Sequence, residues 1–246
     1  MITSTSSSQV KHVVNLQKKA KLRKEEKQFV VEGVKMVSEA PADRLVKVYV
    51  SETFKADNEE FLERMNYDSI GKDVLEIVTD NVFMRMADTQ TPQGIMAVVR
   101  MTDTDLEGIL SDKHNPLLLI IENLQDPGNL GTIVRMAEGA GVTGIIMSSN
   151  TVDIYNPKTI RSTMGSLYRV PVIYVDDICE AADVCKSKGV TVYAAHLKGT
   201  DNYNKKDYTN PTAFMIGNEG NGLTDKLADK ADEYVRIPMQ GEVESL

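Results

Sequence analysis

The chain has only two cysteines, Cys179 and Cys185, in 246 residues. Two cysteines make no disulfide framework, and their spacing fits no zinc pattern. A reduced, cytoplasmic setting is therefore expected. The three histidines, His12, His114 and His196, are dispersed, which gives no support to a metal site or a Ser-His-Asp arrangement. Long apolar runs are missing too. Stretches such as Leu117–Ile121 are strand-sized, far short of a membrane span, and the polar start (ITSTSSSQ) has no signal-peptide core. There is no internal repeat, and low complexity is confined to the serine tract. What remains is ordinary globular composition, 41% apolar and 26% charged, enough for one or two domains with a core in each.

The net charge of -8 argues by itself against nucleic acid, but its distribution does not. Residues 1–27 hold seven Lys/Arg against two Glu, whereas the remainder is acidic throughout. A short basic segment can bind a phosphate backbone on an acidic protein, because the local field decides contact within a Debye length. Residues 9–27 read as one helix, with Val10, Val13, Val14 and Leu16 as its apolar stripe. Lys18, Lys19, Lys21, Arg23 and Lys24 load its far end and are the candidates to meet a phosphate backbone.

From Gln28 the pattern alternates short strands and helices. Strands are expected at Phe29–Val31, Leu45–Val50, Leu75–Val78 and Ile95–Arg100, with helices from Gly33, over Glu59–Met65 and over Val82–Ala87. That is a small α/β domain over 1–101. Residues 102–115, polar and ending at Pro116, read as a linker with one helical turn at Leu106–Leu110. The alternation then resumes over 116–246, with strands at Leu117–Ile121, Gly144–Ser148, Val170–Val175, Thr191–Ala195, Ala213–Ile216 and Tyr234–Ile237, and with helices between them.

Three apolar strand ends in this second half break into Gly-, Asn- or Pro-rich loops, which is where α/β proteins place their sites. The first runs Ile120 to Gly131 (IIENLQDPGNLG). A helix is expected to start near Leu130, with Asn129 as its N-cap and Arg135 projecting from its first turns. The second, Ile216-Gly217-Asn218-Glu219-Gly220-Asn221-Gly222, is neither a dinucleotide fingerprint nor a phosphate-binding Walker loop, since no ribose-binding acid and no Lys-Ser/Thr follow. Its glycines allow a tight turn and close approach of a ligand. The third, Ile237-Pro238-Met239-Gln240-Gly241, ends a strand at a proline that cannot donate to the ladder.

In order and spacing these three segments resemble the signature motifs of the SpoU/TrmH family of RNA ribose 2′-O-methyltransferases, in the SPOUT superfamily. Ser162–Pro171 (STMGSLYRVP) fits the segment between the first two. Residues 9–100, through the basic helix and Phe29-Val30-Val31-Glu32-Gly33, resemble more loosely the ribosomal-protein-like α/β substrate-binding domain found N-terminal to it. The resemblance implies a parallel-sheet methyltransferase domain over 116–246 closed by a trefoil knot, a homodimer, and S-adenosylmethionine as cofactor. The implied substrate is structured RNA, ribosomal RNA before transfer RNA, with a non-catalytic RNA-binding protein as the other reading. Carried over by motif position, Gly217, Ile237, Met239 and Leu246 would contact the cofactor, with Ala195 and His196 beside them. Arg135 would activate the ribose hydroxyl, and Asn129, Glu219 and Ser245 would position it or the neighbouring loops. In the family the third motif continues past Ser-Leu with an Asn and a C-terminal helix. Here the sequence stops at Leu246, so a truncated domain with an incomplete knot, weakened cofactor binding and reduced activity are expected of this chain.

Overall fold

The computed structural model describes residues 1–67, 71, 73–111, 115–199 and 201–238. It divides into two compact units, Met1–Thr102 with Asp153–Tyr168, and Asp103–Val152 with Arg169–Leu246. Among the described residues no helix is long and apolar enough to cross a membrane.

In the first unit, the single helix expected over 9–27 is two: α1 (Ser8–Lys18) and α2 (Ala20–Glu26), broken at Lys19, whose φ and ψ are -116° and 101°. The reason lies in Arg23. Its guanidinium donates to the carbonyls of Leu16 at 2.6 Å and Gln17 at 2.8 Å. An uninterrupted helix would give those carbonyls to the N–H groups four residues on. The apolar stripe behaves as its spacing requires, with Val10, Val13 and Leu16 buried.

Four strands follow, β1 (Gln28–Glu32), β2 (Leu45–Ser51), β3 (Leu75–Val78) and β4 (Ile95–Arg100), in the order β1-β4-β2-β3. Strand β4 is antiparallel to both its neighbours, and β2 and β3 are parallel. Alternate residues point to opposite faces, and both faces are covered. Val30, Tyr49, Met96 and Val98 pack with α1 and with Val82, Phe83 and Met86. Phe29, Val31, Val48, Val50, Ile95, Ala97 and Val99 pack on the other side. Ile160 and Leu167, from the 153–168 segment, complete that second core, and the Tyr155 ring lies 4.7 Å from that of Phe29.

The second unit is a seven-stranded, wholly parallel sheet. Its strands are β5 (Leu117–Ile121), β6 (Gly144–Ser148), β7 (Val172–Val175), β8 (Thr191–Ala195), β9 (Asp201–Asn202), β10 (Thr212–Ile216) and β11 (Glu233–Arg236). Their order is β7-β6-β5-β10-β8-β11-β9. Central strands such as β6 are buried at every position, as expected of a parallel sheet covered on both faces. The chain runs outward from β5 through β6 and β7, then crosses to β8 on the far side of β10. Strands β5 and β10 therefore flank the point where the winding reverses, and the crevice outside their carboxyl ends is the place for a ligand.

Candidate active site

Four loops leave the carboxyl ends of the neighbouring strands β5, β10, β8 and β11. Three of them frame a cleft of about 580 Å³, lined by Asn123, Gln125, His196, Lys198, Asn218 and Thr224 among others. That volume is ordinary for a small-molecule site.

The first loop is held by its own polar groups. Asn123 sits at φ 55°, its N–H donates to Ser148 Oγ at 2.9 Å, and its carbonyl accepts from Asn218 Nδ2 at 2.8 Å. The helix that follows, Pro127–Gly139, begins three residues earlier than expected. Asp126, not Asn129, is its N-cap, accepting from the Asn129 N–H at 2.8 Å. Pro127 explains the difference: its preset φ and missing N–H suit the first helical position. Asn129 therefore lies in the first turn with its side chain exposed.

The second loop closes on itself. Asn218 and Gly222 exchange backbone hydrogen bonds, both 2.9 Å, and the Asn218 side chain accepts from the N–H groups of Gly220 and Asn221. No side chain fits at Gly217, where a Cβ would lie 2.0 Å from the Gly222 carbonyl carbon.

Two carboxylates fasten the second loop to the first. Glu219 is exposed but not unpaired. It accepts from the N–H of Asp126 at 2.8 Å and of Gln125 at 3.1 Å, and it lies 3.4 Å from Asn129 Nδ2. Partial burial works against its ionisation, but the backbone N–H groups and the Asn129 amide outweigh that and hold its carboxyl below the usual range. Glu122, only 6% exposed, accepts from both the N–H and the hydroxyl of Thr224 at 2.8 Å. Thr224 in turn caps the helix Asp225–Ala228. Sequence reasoning missed Glu122. A lone charge at the end of an otherwise apolar strand was the available signal.

The structure thus brings Asn129 and Glu219 together, sets Gly217 in the closed loop and puts His196 on the cleft wall. Ala195 is the exposed last residue of β8, paired with Val235, and Ile237 is 47% exposed just beyond β11. Arg135 is exposed on its helix and is not part of the cleft wall. Met239, Ser245 and Leu246 lie outside the described residues, as does His114. No cluster of metal-ligating side chains occurs among the described residues.

The basic arm needs a correction. Lys18, Lys19, Lys21 and Lys24 are exposed, but Arg23 is only 3% exposed. Besides the two carbonyls, its Nε and Nη2 donate to Asp153 at 3.0 and 2.6 Å. A guanidinium engaged in this way holds the protein together and is not offered to a phosphate.

A parallel α/β sheet with Gly- and Asn-rich loops stapled over its switch point defines an α/β domain with a ligand-sized cleft at the carboxyl ends of its strands. Residues 116–246 match the SpoU rRNA Methylase family, and residues 7–97 match the MRM3-like substrate binding domain. The chain belongs to the SpoU rRNA methylase family. It is 34% identical over 69% of its length to the 23S rRNA (guanosine(2553)-2′-O)-methyltransferase RlmP of Bacillus subtilis, of which it spans 66%. It is 31% identical over its whole length to an uncharacterized tRNA/rRNA methyltransferase of Synechocystis, covering 88% of that protein. Among solved structures, an AdoMet-bound rRNA methyltransferase from Sinorhizobium meliloti superposes with a TM-score of 0.84 at 28% identity, over 100% of this chain and 91% of that one.

Proposed function

We propose that this protein methylates a ribose 2′-hydroxyl of ribosomal RNA, using S-adenosylmethionine. The observation that carries the reading is the cleft at the β5–β10 switch point, with the Glu122 and Glu219 staples holding its two motif loops together. Its wall suits the cofactor. It is largely polar, carrying Asn123, Gln125, Asn218 and Asn221 beside His196, Lys198, Thr224 and Asp225. Gly217, His196, Ala195 and Ile237 would hold the cofactor here, joined by Met239 and Leu246.

When bound, S-adenosylmethionine supplies an electrophilic methyl group. The work left to the protein is to align the ribose oxygen and to ease loss of its proton. Arginine is almost never deprotonated, so Arg135 acts as a cation. It would orient the hydroxyl and a neighbouring substrate phosphate, and that phosphate assists proton removal. Asn129, Glu219 and Ser245 keep Arg135 and the loops in place, and alignment accounts for much of the rate. Lys18, Lys19, Lys21 and Lys24 engage the RNA backbone. The domains act as a substrate-binding region over 1–101, a linker over 102–115 and a methyltransferase over 116–246. The methyltransferase domain is knotted and homodimeric, and the protein works in the cytoplasm, where both cysteines stay reduced.

The test is to incubate the protein with isotopically labelled S-adenosylmethionine and either ribosomal or transfer RNA, then map the label by mass spectrometry. Label on a ribose oxygen of ribosomal RNA is expected. Label on transfer RNA alone would move the substrate to the transfer RNA that the Synechocystis relative's name also prints. Label on bases, or none, would overturn the proposal.

A further inference from the structure

Just beyond β5, Asn123 holds a backbone conformation that is uncommon outside glycine, with φ at 55°. Its carbonyl accepts twice, from Asn218 Nδ2 at 2.8 Å and from Gln125 Nε2 at 2.9 Å. The second amide hydrogen of Gln125 goes to the Asn150 carbonyl, also at 2.9 Å. Both partners are carbonyls, so they identify the nitrogen of this amide, and Oε1 is the end left over.

Asn150 lies in the loop after β6, and that loop is bound to the first one at further points. The Asn123 N–H donates to Ser148 Oγ, and the Val152 N–H donates to the Leu124 carbonyl at 2.9 Å. Ser148 Oγ in turn meets Asn123 Oδ1 and Thr151 Oγ1. The main-chain N–H of Gln125 donates elsewhere, to Glu219 on the second loop at 3.1 Å. One residue therefore joins three loops, those after β5, β6 and β10. It also lines the cleft beside Asn123 and Asn218, the two residues that share the carbonyl it holds.

The arrangement needs a glutamine. Two carbonyls are met by two hydrogens on one nitrogen, at the reach of a three-carbon amide. An ionised carboxylate has the same shape but only accepts. We propose that Gln125 is a positioning residue for methyl transfer. Its amide fixes the Asn123 carbonyl, and through it the Asn123 and Asn218 walls of the cofactor cleft. The role belongs to the two donors of the side chain and not to Oε1, the acceptor it keeps for other partners. The inference rests on the cofactor reading of the cleft above.

Gln125→Glu separates donor from acceptor, because glutamate keeps acceptors in the same place and loses both donors. Gln125→Met keeps only the length. The measurement is calorimetric titration of S-adenosylmethionine into each full chain at pH 7.5, beside thermal unfolding. Glutamate should weaken binding about tenfold, since it sets a carboxylate against two carbonyl oxygens. Methionine should weaken it about threefold, the modest loss expected of hydrogen bonds on an exposed residue. Both unfolding midpoints should stay within about 4 °C of the wild type, which separates lost positioning from lost fold. A glutamate variant that binds as tightly as the wild type, or a methionine variant that loses more than glutamate, overturns the positioning role and leaves the cofactor cleft standing. So do midpoints that fall further while affinity holds. Failure of the wild type to bind S-adenosylmethionine overturns the cofactor reading and this inference with it.

Discussion

Replacing Glu219 with alanine removes the acceptor for two backbone N–H groups, those of Asp126 and Gln125, and its interaction with the Asn129 amide. A hydrogen bond to a charged group is worth about 1.5–3 kcal/mol when desolvated. Glu219 is exposed, so water replaces much of what is removed, and about 1 kcal/mol is the better figure for the ordering of the two loops. Asn123 and Asn218, one from each of the two loops, both line the cleft and are themselves hydrogen-bonded at 2.8 Å. The deficit should therefore appear in cofactor affinity, as a loss of about fivefold. Glu219→Gln keeps one neutral acceptor and should lose about twofold. The pH dependence has a defined sign. The folded carboxyl is held below its ordinary value of 4.5, so its contribution is complete above that value and disappears as pH falls through the folded one. Calorimetry with S-adenosylmethionine at pH 7, paired with thermal unfolding, measures both effects. Wild-type affinity in the alanine variant would refute the view that Glu219 sets the cleft.

Other outcomes follow from the same geometry. Arg135→Ala should abolish methyl transfer while leaving cofactor affinity within about twofold, since Arg135 lies off the cleft wall; near-normal turnover would remove it from the chemistry. Converting Lys18, Lys19, Lys21 and Lys24 to Gln should leave the unfolding midpoint nearly unchanged and make the salt dependence of RNA binding shallower, by about 0.7–0.9 in slope for each phosphate no longer neutralised; an unaltered slope in filter binding would return the arm to a solvated helix face. Arg23→Ala should do the opposite in a melt, destabilising by about 3 kcal/mol because it leaves Asp153 and two carbonyls without their partner. Burial pushes the Cys185 thiol up to about 11, so at pH 8 it should resist an alkylating reagent until the protein is unfolded, and rapid labelling of the native protein would contradict the packing.

Much of the fold was legible because short apolar runs alternating with helical segments survive folding. The runs at Phe29–Val31, Ile95–Arg100 and Leu117–Ile121 became strands within a residue or two of their expected ends. Errors fell where one side chain overrode a local rule. Arg23 broke the helix expected over 9–27, because a guanidinium can take two helix carbonyls and a carboxylate at once. Pro127 moved the start of the next helix, so Asp126 took the capping role from Asn129. The candidate site was half legible. Glycines at 217 and 222 announce a loop through their own backbone needs. The backbone partners of Glu219 lie more than ninety residues away in sequence, and the partner of Glu122 more than a hundred.

The sequence alone determined that this chain is a doubly domained α/β protein, with a basic arm and three Gly-, Asn- or Pro-rich strand ends whose order resembles one methyltransferase family. Local propensity and spacing carry that information, and they are written residue by residue. Only the tertiary structure decided which charges face water and which are held inside, since burial depends on what the rest of the chain brings alongside. It withdrew Arg23 from the RNA surface and gave residues 153–168 to the first unit's core. At the junction of β5 and β10 it turned two carboxylates into the fastenings of one cleft.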